Sequence, residues 1–513
     1  MVAAIMRACA VVVSVFVLAI GGMRVAQAQV PVTTWHYDNL HSGANVSETI
    51  LTPENVNWQS FGKIFTQNVD GAIVGQALYM PSVTIPSAGV HNVIYVATMN
   101  DSVYAFDADS ASGANASPLW HTTFLVNGAV PVTIAQQGCG ATTQWTQIGV
   151  VSTPVIDATT GTLFVVAKTY ENSSYVHRLH ALDITTGLEK SGSPIVISAS
   201  YLGNVFADMM QVNRPALTLA NGIIYIPFGS NGCRGDYEEG WVMAYNETTL
   251  QPAGAWDDEP GQSAAAVWMR GAGLSVDSEG YIYGATADGP FTEGTNFGQS
   301  VFKLVQSGST LELKDWFTPY NEAYLDYHDL DMSEPVLVLP NQAGKYRHLA
   351  AAVGKEGTIY ILNRDSMGHF CSTCTDKDTQ IVQELPAFAP QTGALVFWNN
   401  TIYTSGDAAP ISALPLSKGV LGTTPIAESV KVAAGHSPVI SADGTTNGVL
   451  WQMNGTGLAA YNATTLKSIY RSAQAPGNRD VVPTAPHFAN LMVVNGKLYI
   501  GTNNSLVAYG LLK

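Results

Sequence analysis

The sequence carries little charge. Asp, Glu, Lys and Arg make up 12% of its 513 residues, and the basic residues are the scarcer, with 23 against 39 acidic ones. So low a charge content excludes a coiled coil and a highly charged disordered chain. The formal charge of −16 argues against a nucleic-acid partner, because phosphate binding needs a basic surface.

Long apolar runs are also scarce. The one extended run, residues 8–20, follows Arg7 and is followed by Ala26-Gln27-Ala28, which has the form of a cleavage site. The run is short for a membrane span, so residues 1–28 are predicted to be a signal peptide. The protein is expected to be exported, to the periplasm or the extracellular space, and to have no transmembrane segment after cleavage. The alternative is an N-terminal membrane anchor.

Cysteine is rare as well, with five in the chain. Cys9 leaves with the signal peptide. The remaining four are an even number in an exported protein, which favours disulfides; they are Cys139, Cys233, Cys371 and Cys374. The last two have zinc-knuckle or redox spacing, but no second Cys-x-x-Cys occurs, so a local disulfide is favoured. Cys139 and Cys233 would then form the other bridge. GxSxG, HExxH and P-loop motifs are absent too.

Glycine and tyrosine are plentiful, at 48 and 22 residues, and a repeat explains them. Each repeat has a β-rich run around a large apolar residue, usually aromatic, then a turn and a second run that often ends in Ala-aromatic-Asp/Asn. The equivalent large residues are Tyr95, Phe164, Tyr225, Tyr283, Leu349, Tyr403, Trp451 and Tyr499. Two further short runs flank each pair. Four short strands with turn signals are typical of one propeller blade.

Eight repeats predict an all-β, eight-bladed β-propeller, with a seven-bladed ring as the alternative. Residues 58–66 read as an outer strand that has no blade before it, whereas the eighth repeat ends without its own. Pairing of that N-terminal strand with the last blade would close the ring and remove free sheet edges. The predicted organisation is a signal peptide (1–28), an N-terminal extension (29–57) and a propeller (58–513).

Two repeats, GTLFVVAKTYENSSYVHRLHALDITTGLEK (161–190) and AVGKEGTIYILNRDSMG (352–368), resemble those of the pyrroloquinoline quinone (PQQ) propeller superfamily. That superfamily includes quinoprotein alcohol dehydrogenases and non-enzymatic relatives such as outer-membrane assembly scaffolds. Residues 35–57 resemble exported bacterial PQQ-repeat proteins of unassigned activity. The resemblance implies PQQ and calcium in an axial funnel, because a hard cation needs oxygen ligands and the quinone supplies the redox chemistry.

The resemblance also implies site residues. Lys355, in the segment Gly354 to Arg364, matches the family lysine that contacts the quinone, and Asp288 stands where the family has a metal-binding asparagine. Asp329 or Asp331 is expected to be the catalytic base. The family's calcium-ligand glutamate falls near Gly235, with Asp236 as the substitute ligand. Ordinary turn and loop roles are the alternative for all of these residues.

Other family features are missing. No two cysteines are adjacent, so the disulfide ring that sandwiches the quinone is absent, and no haem-attachment Cys-x-x-Cys-His occurs. Four residues near predicted inner strands are expected to line the funnel, as quinone or anion contacts; they are Arg214, Trp268, Arg270 and Arg479. Ion pairs with neighbouring acids are the alternative for the arginines.

The resulting expectation is an exported PQQ-repeat propeller that acts as a divergent PQQ- and calcium-dependent oxidoreductase on an alcohol or sugar. The first alternative is a non-catalytic binding or scaffold propeller for a protein or carbohydrate ligand, held in the funnel or on the rim. The second is a propeller-type polysaccharide lyase. The first reading requires Asp288, Lys355 and Asp329 or Asp331 to converge at one end of the funnel.

Overall fold

A computed structural model describes residues 29–138, 145–230, 239–261, 264–386, 393–432, 436–454, 457–487 and 489–513. The predicted signal peptide therefore lies outside the described residues, as do Cys139, Cys233 and Asp236. Within the described ranges the structure is almost entirely β, with one α-helix, Glu322–Tyr327. Five 3₁₀ segments are Trp35–Tyr37, Gly113–Ala116, Met269–Gly271, Ser472–Gln474 and Pro476–Asn478.

Eight antiparallel sheets form the blades of the propeller. Blades 1 to 4, each from the inner to the outer strand, are Leu78–Ile85, Gly89–Thr98, Ser102–Asp107 and Trp120–Thr123; Val155–Asp157, Thr162–Glu171, Ser174–Asp183 and Ile195–Val196; Thr218–Ala220, Ile223–Phe228, Trp241–Asn246 and Pro252–Asp257; Ser275–Val276, Tyr281–Ala285, Val301–Ser307 and Thr310–Thr318. The chain thus repeats one meander, as the sequence repeat predicts.

The second half of the chain repeats the same unit. Blades 5 to 8 are Leu337–Val338, Leu349–Val353, Ile359–Asn363 and Gln383–Leu385; Val396–Trp398, Thr401–Ser405, Pro410–Ser417 and Ala427–Lys431; Val439–Asp443, Thr446–Asn454, Gly457–Asn462 and Ser468–Arg471; Leu491–Val494, Lys497–Gly501, Ser505–Leu511 and the N-terminal strand Phe61–Asn68. Eight sheets confirm the eight-bladed prediction over the seven-bladed one.

Short strands also lie between and beside the blades. They are Ala44–Asn45, Val130–Pro131, Ser200–Tyr201, Asn204–Val205, Phe291–Thr292, Asn296–Phe297, His369–Phe370 and Val420–Leu421. No helix in the described ranges is long and apolar enough to cross a membrane.

The ring closes through the N-terminal strand. Phe61–Asn68 runs antiparallel to Ser505–Leu511, with Phe61 opposite Leu511 and Asn68 opposite Ser505. The outer strand of blade 8 therefore comes from the start of the chain, as predicted, and closure leaves no blade without a neighbour.

The repeated large residues are buried between neighbouring blades. Several tyrosines donate a hydrogen bond from one blade to a turn carbonyl of the next: Tyr95 to Ile184 at 3.0 Å and Tyr403 to Ala463 at 2.9 Å. Tyr499 of blade 8 donates in the same way to Ala108 of blade 1, at 2.6 Å. Each ring fills the interface while its hydroxyl satisfies a buried carbonyl, so the tyrosine excess reports blade packing.

Residues 32–48, here called the axial segment, cross the centre of the ring. Backbone oxygens of six of its residues accept hydrogen bonds from inner-strand amides of six blades; the acceptors are Val32, Thr33, Asn39, Leu40, Ser42 and Gly43. The donors are Tyr79, Ile156, Val276, Val338, Phe397 and Ile440. Side-chain amides of Asn39 and Asn45 reach the remaining two inner strands, at Leu219 and Val493, both at 2.9 Å.

The segment predicted as part of an N-terminal extension thus contacts the inner strand of all eight blades. Trp35 is buried on the axis, where its indole donates to Asn490 at 3.0 Å. The rings of Trp35 and His36 stack with centroids 3.4 Å apart. The axial segment therefore forms a floor across the channel, and the end of the channel beyond this floor is here called the funnel mouth.

Candidate active site

The funnel mouth is built from two sets of loops. An inner strand starts at the loop that joins its blade to the previous one, and the second strand returns to the same end. Loops before inner strands and loops after second strands therefore share one face. Asp288 and Lys355 follow the second strands of blades 4 and 5, whereas Asp329 and Asp331 precede the inner strand of blade 5.

Three carboxylates meet at this face. One oxygen from each of Asp288, Asp329 and Asp331 lies within 4.8 Å of the others. Asp331 is buried, with its side chain 3% exposed, whereas that of Asp329 is 81% exposed. The backbone oxygen of Asp331 accepts a hydrogen bond from the amide of Lys355 at 2.8 Å, which ties the two blade-5 loops together.

Lys355 bridges two of these acids. Its Nζ forms ion pairs with Asp329 and, at 2.5 Å, with Asp331. Burial alone would lower the pKa of Lys355, but the charges and hydrogen bonds of Asp331 and Asp329 outweigh it, and the net shift is upward. The lysine therefore stays charged and holds both carboxylates in place.

The third acid is in a different state. Burial and the nearby charge of Asp331 raise the pKa of Asp288 to about 8, since two close carboxylates resist carrying charge together. Oδ1 of Asp331 is buried and has no hydrogen-bond partner. A hard divalent cation fits this donor set, because it would supply the missing partner and relieve the repulsion.

A second ion pair adjoins the cluster. Arg270 pairs with the fully buried Glu334 in the loop before the inner strand of blade 5. Glu334 was not predicted from the sequence, because no known motif has a glutamate three residues after the aspartate at position 331. The one indication in the sequence is that Glu334 lies in the same acidic loop as Asp329 and Asp331. Trp268, two residues before Arg270, is half-buried and faces Trp145, with ring centroids 6.2 Å apart. Glu334 and the charged groups around it thus extend the site from Lys355 toward the axis.

The other predicted residues lie elsewhere. Arg214 is completely buried and donates to the carbonyls of Val151 and Arg270, at 3.1 and 3.0 Å. It therefore links the two loops that carry these residues and is not exposed at the funnel mouth. The expectation that Arg479 lines the funnel is wrong: its guanidinium pairs with Asp480 and donates to Trp58 and Phe61 at the outer strand of blade 8.

Cys371 and Cys374 are joined as a disulfide in a loop of blade 5. Cys139 and Cys233, the other two predicted to pair, cannot be placed because both lie outside the described residues, and the metal-ligand candidate Asp236 shares that segment with Cys233.

Comparisons with known proteins match the fold only. No family model matches the chain, and no curated protein matches its sequence. The structure is similar to the quinohemoprotein alcohol dehydrogenase of Comamonas testosteroni, with a TM-score of 0.62 and 13% identity, over 94% of this chain and 80% of that one. Quinohemoprotein alcohol dehydrogenase ADHIIG of Pseudomonas putida HK5 gives a TM-score of 0.61 at 13% identity, with the same coverage of both chains.

BamB from Moraxella catarrhalis is a further neighbour, with a TM-score of 0.51, 11% identity, and coverage of 88% of this chain and 99% of that one. At such identities the likeness concerns architecture and not activity. The comparisons therefore show that this chain has the β-propeller fold found in quinohemoprotein alcohol dehydrogenases.

Proposed function

We propose that this protein is an exported oxidoreductase that binds PQQ and calcium at the funnel mouth and oxidises an alcohol or a sugar. The observation that carries the proposal is the meeting of Asp288, Asp329, Asp331 and Lys355, which come from three separate loops of two blades. A structural turn role for each residue would not require the four to share one site.

Asp288 and Asp331 would hold the cation, with Asp331 buried and Asp288 half-buried. Lys355 and Arg270 supply positive charge for the oxygens of a quinone and its carboxylates, and Trp268 offers an aromatic face. Bound PQQ would supply the two-electron acceptor, which no amino-acid side chain provides.

The remaining chemistry is proton transfer by the chain. The carboxylate of Asp329 is 81% exposed, so it is placed to accept the proton of a substrate hydroxyl and to pass it to solvent. Lys355 pairs with Asp329 and Asp331 and keeps both carboxylates oriented. Asp331 is the alternative base, in an arrangement where Asp288 and Asp329 hold the cation.

Reconstitution tests the proposal. Purified protein is titrated with PQQ in the presence of Ca²⁺, binding is followed by absorbance, and dye reduction is measured with a panel of alcohols and sugars. We expect Asp329→Asn to lower turnover by about 100-fold or more, the scale of a lost general base. Lys355→Met is expected to weaken PQQ binding.

Glu279→Gln is the matched control, because Glu279 lies in the exposed turn after the inner strand of blade 4, at the opposite face. The control should bind and turn over as the wild type does. Absence of PQQ binding by the wild-type protein at micromolar concentrations would contradict the proposal.

A non-catalytic binding propeller is the second candidate, and one observation favours it. Lys355 already pairs with both Asp329 and Asp331, so one of their two negative charges is balanced without a cation. Under this reading Ca²⁺ does not compete with the lysine. Calcium titration of the protein without PQQ separates the two, since only the oxidoreductase requires tight binding that Asp331→Asn abolishes.

A further inference from the structure

Two tyrosines at the funnel mouth are exposed to solvent. Tyr324 and Tyr327 lie on the short helix Glu322–Tyr327, in the loop before the inner strand of blade 5, and are 53% and 84% exposed. Every other tyrosine in the described ranges is buried or half-buried, because it packs in or between blades. A cluster of exposed aromatic rings, rather than a single one, marks a binding surface.

His328 joins the two tyrosine rings into one surface. The centroid of its imidazole lies 4.2 Å from that of Tyr324 and 5.0 Å from that of Tyr327. His328 is itself exposed, so all three rings can be reached by a ligand. Tyr324, Tyr327 and His328 are here called the aromatic platform.

A helix-ending turn fixes the platform relative to Asp329, which directly follows His328 and has a φ of +54°. The amide of Leu330 donates to the carbonyl of Leu325 at 2.9 Å, and the amide of Asp329 donates to the carbonyl of Asp326 at 3.2 Å. Together these two bonds form a Schellman motif, which sets the direction in which the chain leaves the helix. The proposed base therefore lies directly beside the platform in a defined orientation.

The helix that carries the platform is anchored to its surroundings. Leu325 is fully buried beneath it. Before the helix, the backbone amide of Tyr320 donates to Asp378 at 3.1 Å. After it, the amide of Met332 donates at 3.1 Å to the side-chain oxygen of Gln299, in a mouth loop of blade 4. The rings are thus held in place before a ligand arrives, which lowers the entropy cost of binding.

The charges around the platform restrict the chemistry of its ligand. Residues 319–329 contain Glu322, Asp326 and Asp329 and no Lys or Arg. Lys355 pairs with Asp329, and the segment keeps a net negative charge, which disfavours an anionic ligand. The cation that the proposed function requires in the neighbouring cluster would in turn repel a cationic ligand. Carboxylates accept hydrogen bonds from hydroxyl groups, so a neutral ligand with several hydroxyls fits best.

We propose that the aromatic platform binds the ring of a neutral saccharide, so that the substrate is a sugar and not a simple alcohol; this inference rests on the proposed function. The C–H groups on one face of a sugar ring are apolar and weakly positive, which suits the negative face of an aromatic ring. Stacking on Tyr327 and Tyr324 would bring a hydroxyl of the sugar toward Asp329. The tyrosines would determine specificity, and Asp326 would accept a hydrogen bond from another hydroxyl.

Calorimetry on the full-length protein, with Ca²⁺ and without PQQ, tests binding directly. The probes are D-glucose, D-xylose, maltose and cellobiose, with choline as a cationic comparison. At least one saccharide should bind, and Tyr327→Ala should weaken its affinity about tenfold or more, the scale of one lost stacking contact. Tyr327→Phe keeps the ring and should retain most of the affinity.

Trp58→Ala is the matched control, because it removes a partly exposed aromatic ring beside the outer strand of blade 8, away from the mouth. Its affinity for the saccharide should equal that of the wild type. Failure of all four saccharides to bind, equal binding by Tyr327→Ala, or binding of choline in their place would overturn the proposal.

Kinetics of the protein reconstituted with PQQ separate this inference from the proposed function. Tyr327→Ala should lower kcat/KM for the saccharide about tenfold more than for ethanol, chiefly through a higher KM, because ethanol has no ring to stack. Oxidation of ethanol without oxidation of any saccharide would overturn the platform and leave the oxidoreductase. Saccharide binding that Tyr327→Ala weakens, together with failure to bind PQQ, would overturn only the catalytic function.

Discussion

The two ends of the axial channel differ in the interactions that build them. The floor consists of the axial segment, whose backbone and amide side chains reach all eight inner strands and whose rings at Trp35 and His36 are buried. The mouth consists of loops that carry Asp288, Asp329, Asp331 and Lys355 in mutual electrostatic contact. The floor is held by burial and hydrogen bonds, the mouth by charge.

This difference separates stability from chemistry. Apolar burial and backbone hydrogen bonds stabilise the fold. Clustered charges with an unpartnered carboxylate oxygen contribute little to stability, and they suit the binding of a cation or proton. Mutations at the two ends should therefore act on different measurements.

The largest effect is expected at the floor. Trp35→Ala removes a buried indole and its bond to Asn490, and should lower the free energy of unfolding by about 3–5 kcal/mol. Trp58→Ala, at a half-exposed tryptophan, is the control and should cost less than about 1 kcal/mol. Urea denaturation measures both. Equal losses would show that the axial segment does not hold the ring.

The next effect tests the one buried ion pair described at the mouth. Arg270→Leu leaves the carboxylate of Glu334, which is fully buried, without its guanidinium partner, and should cost about 3 kcal/mol. The double variant Arg270→Leu with Glu334→Leu should recover much of that loss, because no buried charge remains. Denaturation of the singles and the double measures the coupling. No recovery would indicate that the pair itself stabilises the fold.

Acidification should weaken the floor. Burial lowers the pKa of His41 to about 3, whereas the unfolded chain protonates near pH 6.5. The unfolded state therefore binds more protons below that pH, and stability falls as the pH drops from 6.5 toward 3. Between pH 6.5 and 5, His41 should account for on the order of 2 kcal/mol.

The measurement is the difference in unfolding free energy between pH 7 and pH 5, for the wild type and His41→Gln. The variant should lose less stability, and His348→Gln, at the rim, should behave as the wild type does. The comparison between variants cancels the buried acids, whose raised pKa values act in the opposite direction. An equal loss in all three would contradict a buried neutral His41.

The smallest stability effect is expected for Asp329→Asn. The carboxylate is 81% exposed, and exposed ion pairs contribute about 1 kcal/mol or less. The same variant should nonetheless weaken calcium binding at the mouth, measured by calorimetry. A decrease in the free energy of unfolding of more than about 2 kcal/mol would mean that the charged groups of the mouth also stabilise the fold.

Much of the fold could be predicted because the repeat is local. Strand periodicity, turn residues and the recurring large residue are read within each unit, and the unpaired strand near Phe61 indicated how the ring closes. The role of the axial segment could not be predicted. Its hydrogen bonds join residues 32–48 to inner strands spread from Tyr79 to Val493, and no local pattern records contacts of such range.

The candidate site divides in the same way. Resemblance to the PQQ propellers singled out Asp288, Asp329, Asp331 and Lys355, and these residues do converge. Arg214 and Arg479 were selected only by position near an inner strand. Arg214 instead donates to buried carbonyls, and Arg479 contacts groups at the outer strand of blade 8. The sequence does not show in which direction a loop residue points. Glu334 was missed because its partner Arg270 comes from a distant part of the chain, which no local pattern records.

The sequence by itself determined the eight-fold repeat, the strand that closes it and the scarcity of charge, because these depend on residue type and spacing. The tertiary structure alone decided which charges meet. Carboxylates interact over a few ångströms of space, and closing the ring brings loops of different blades within that range. The charged site at the funnel mouth and the floor formed by the axial segment both result from that closure.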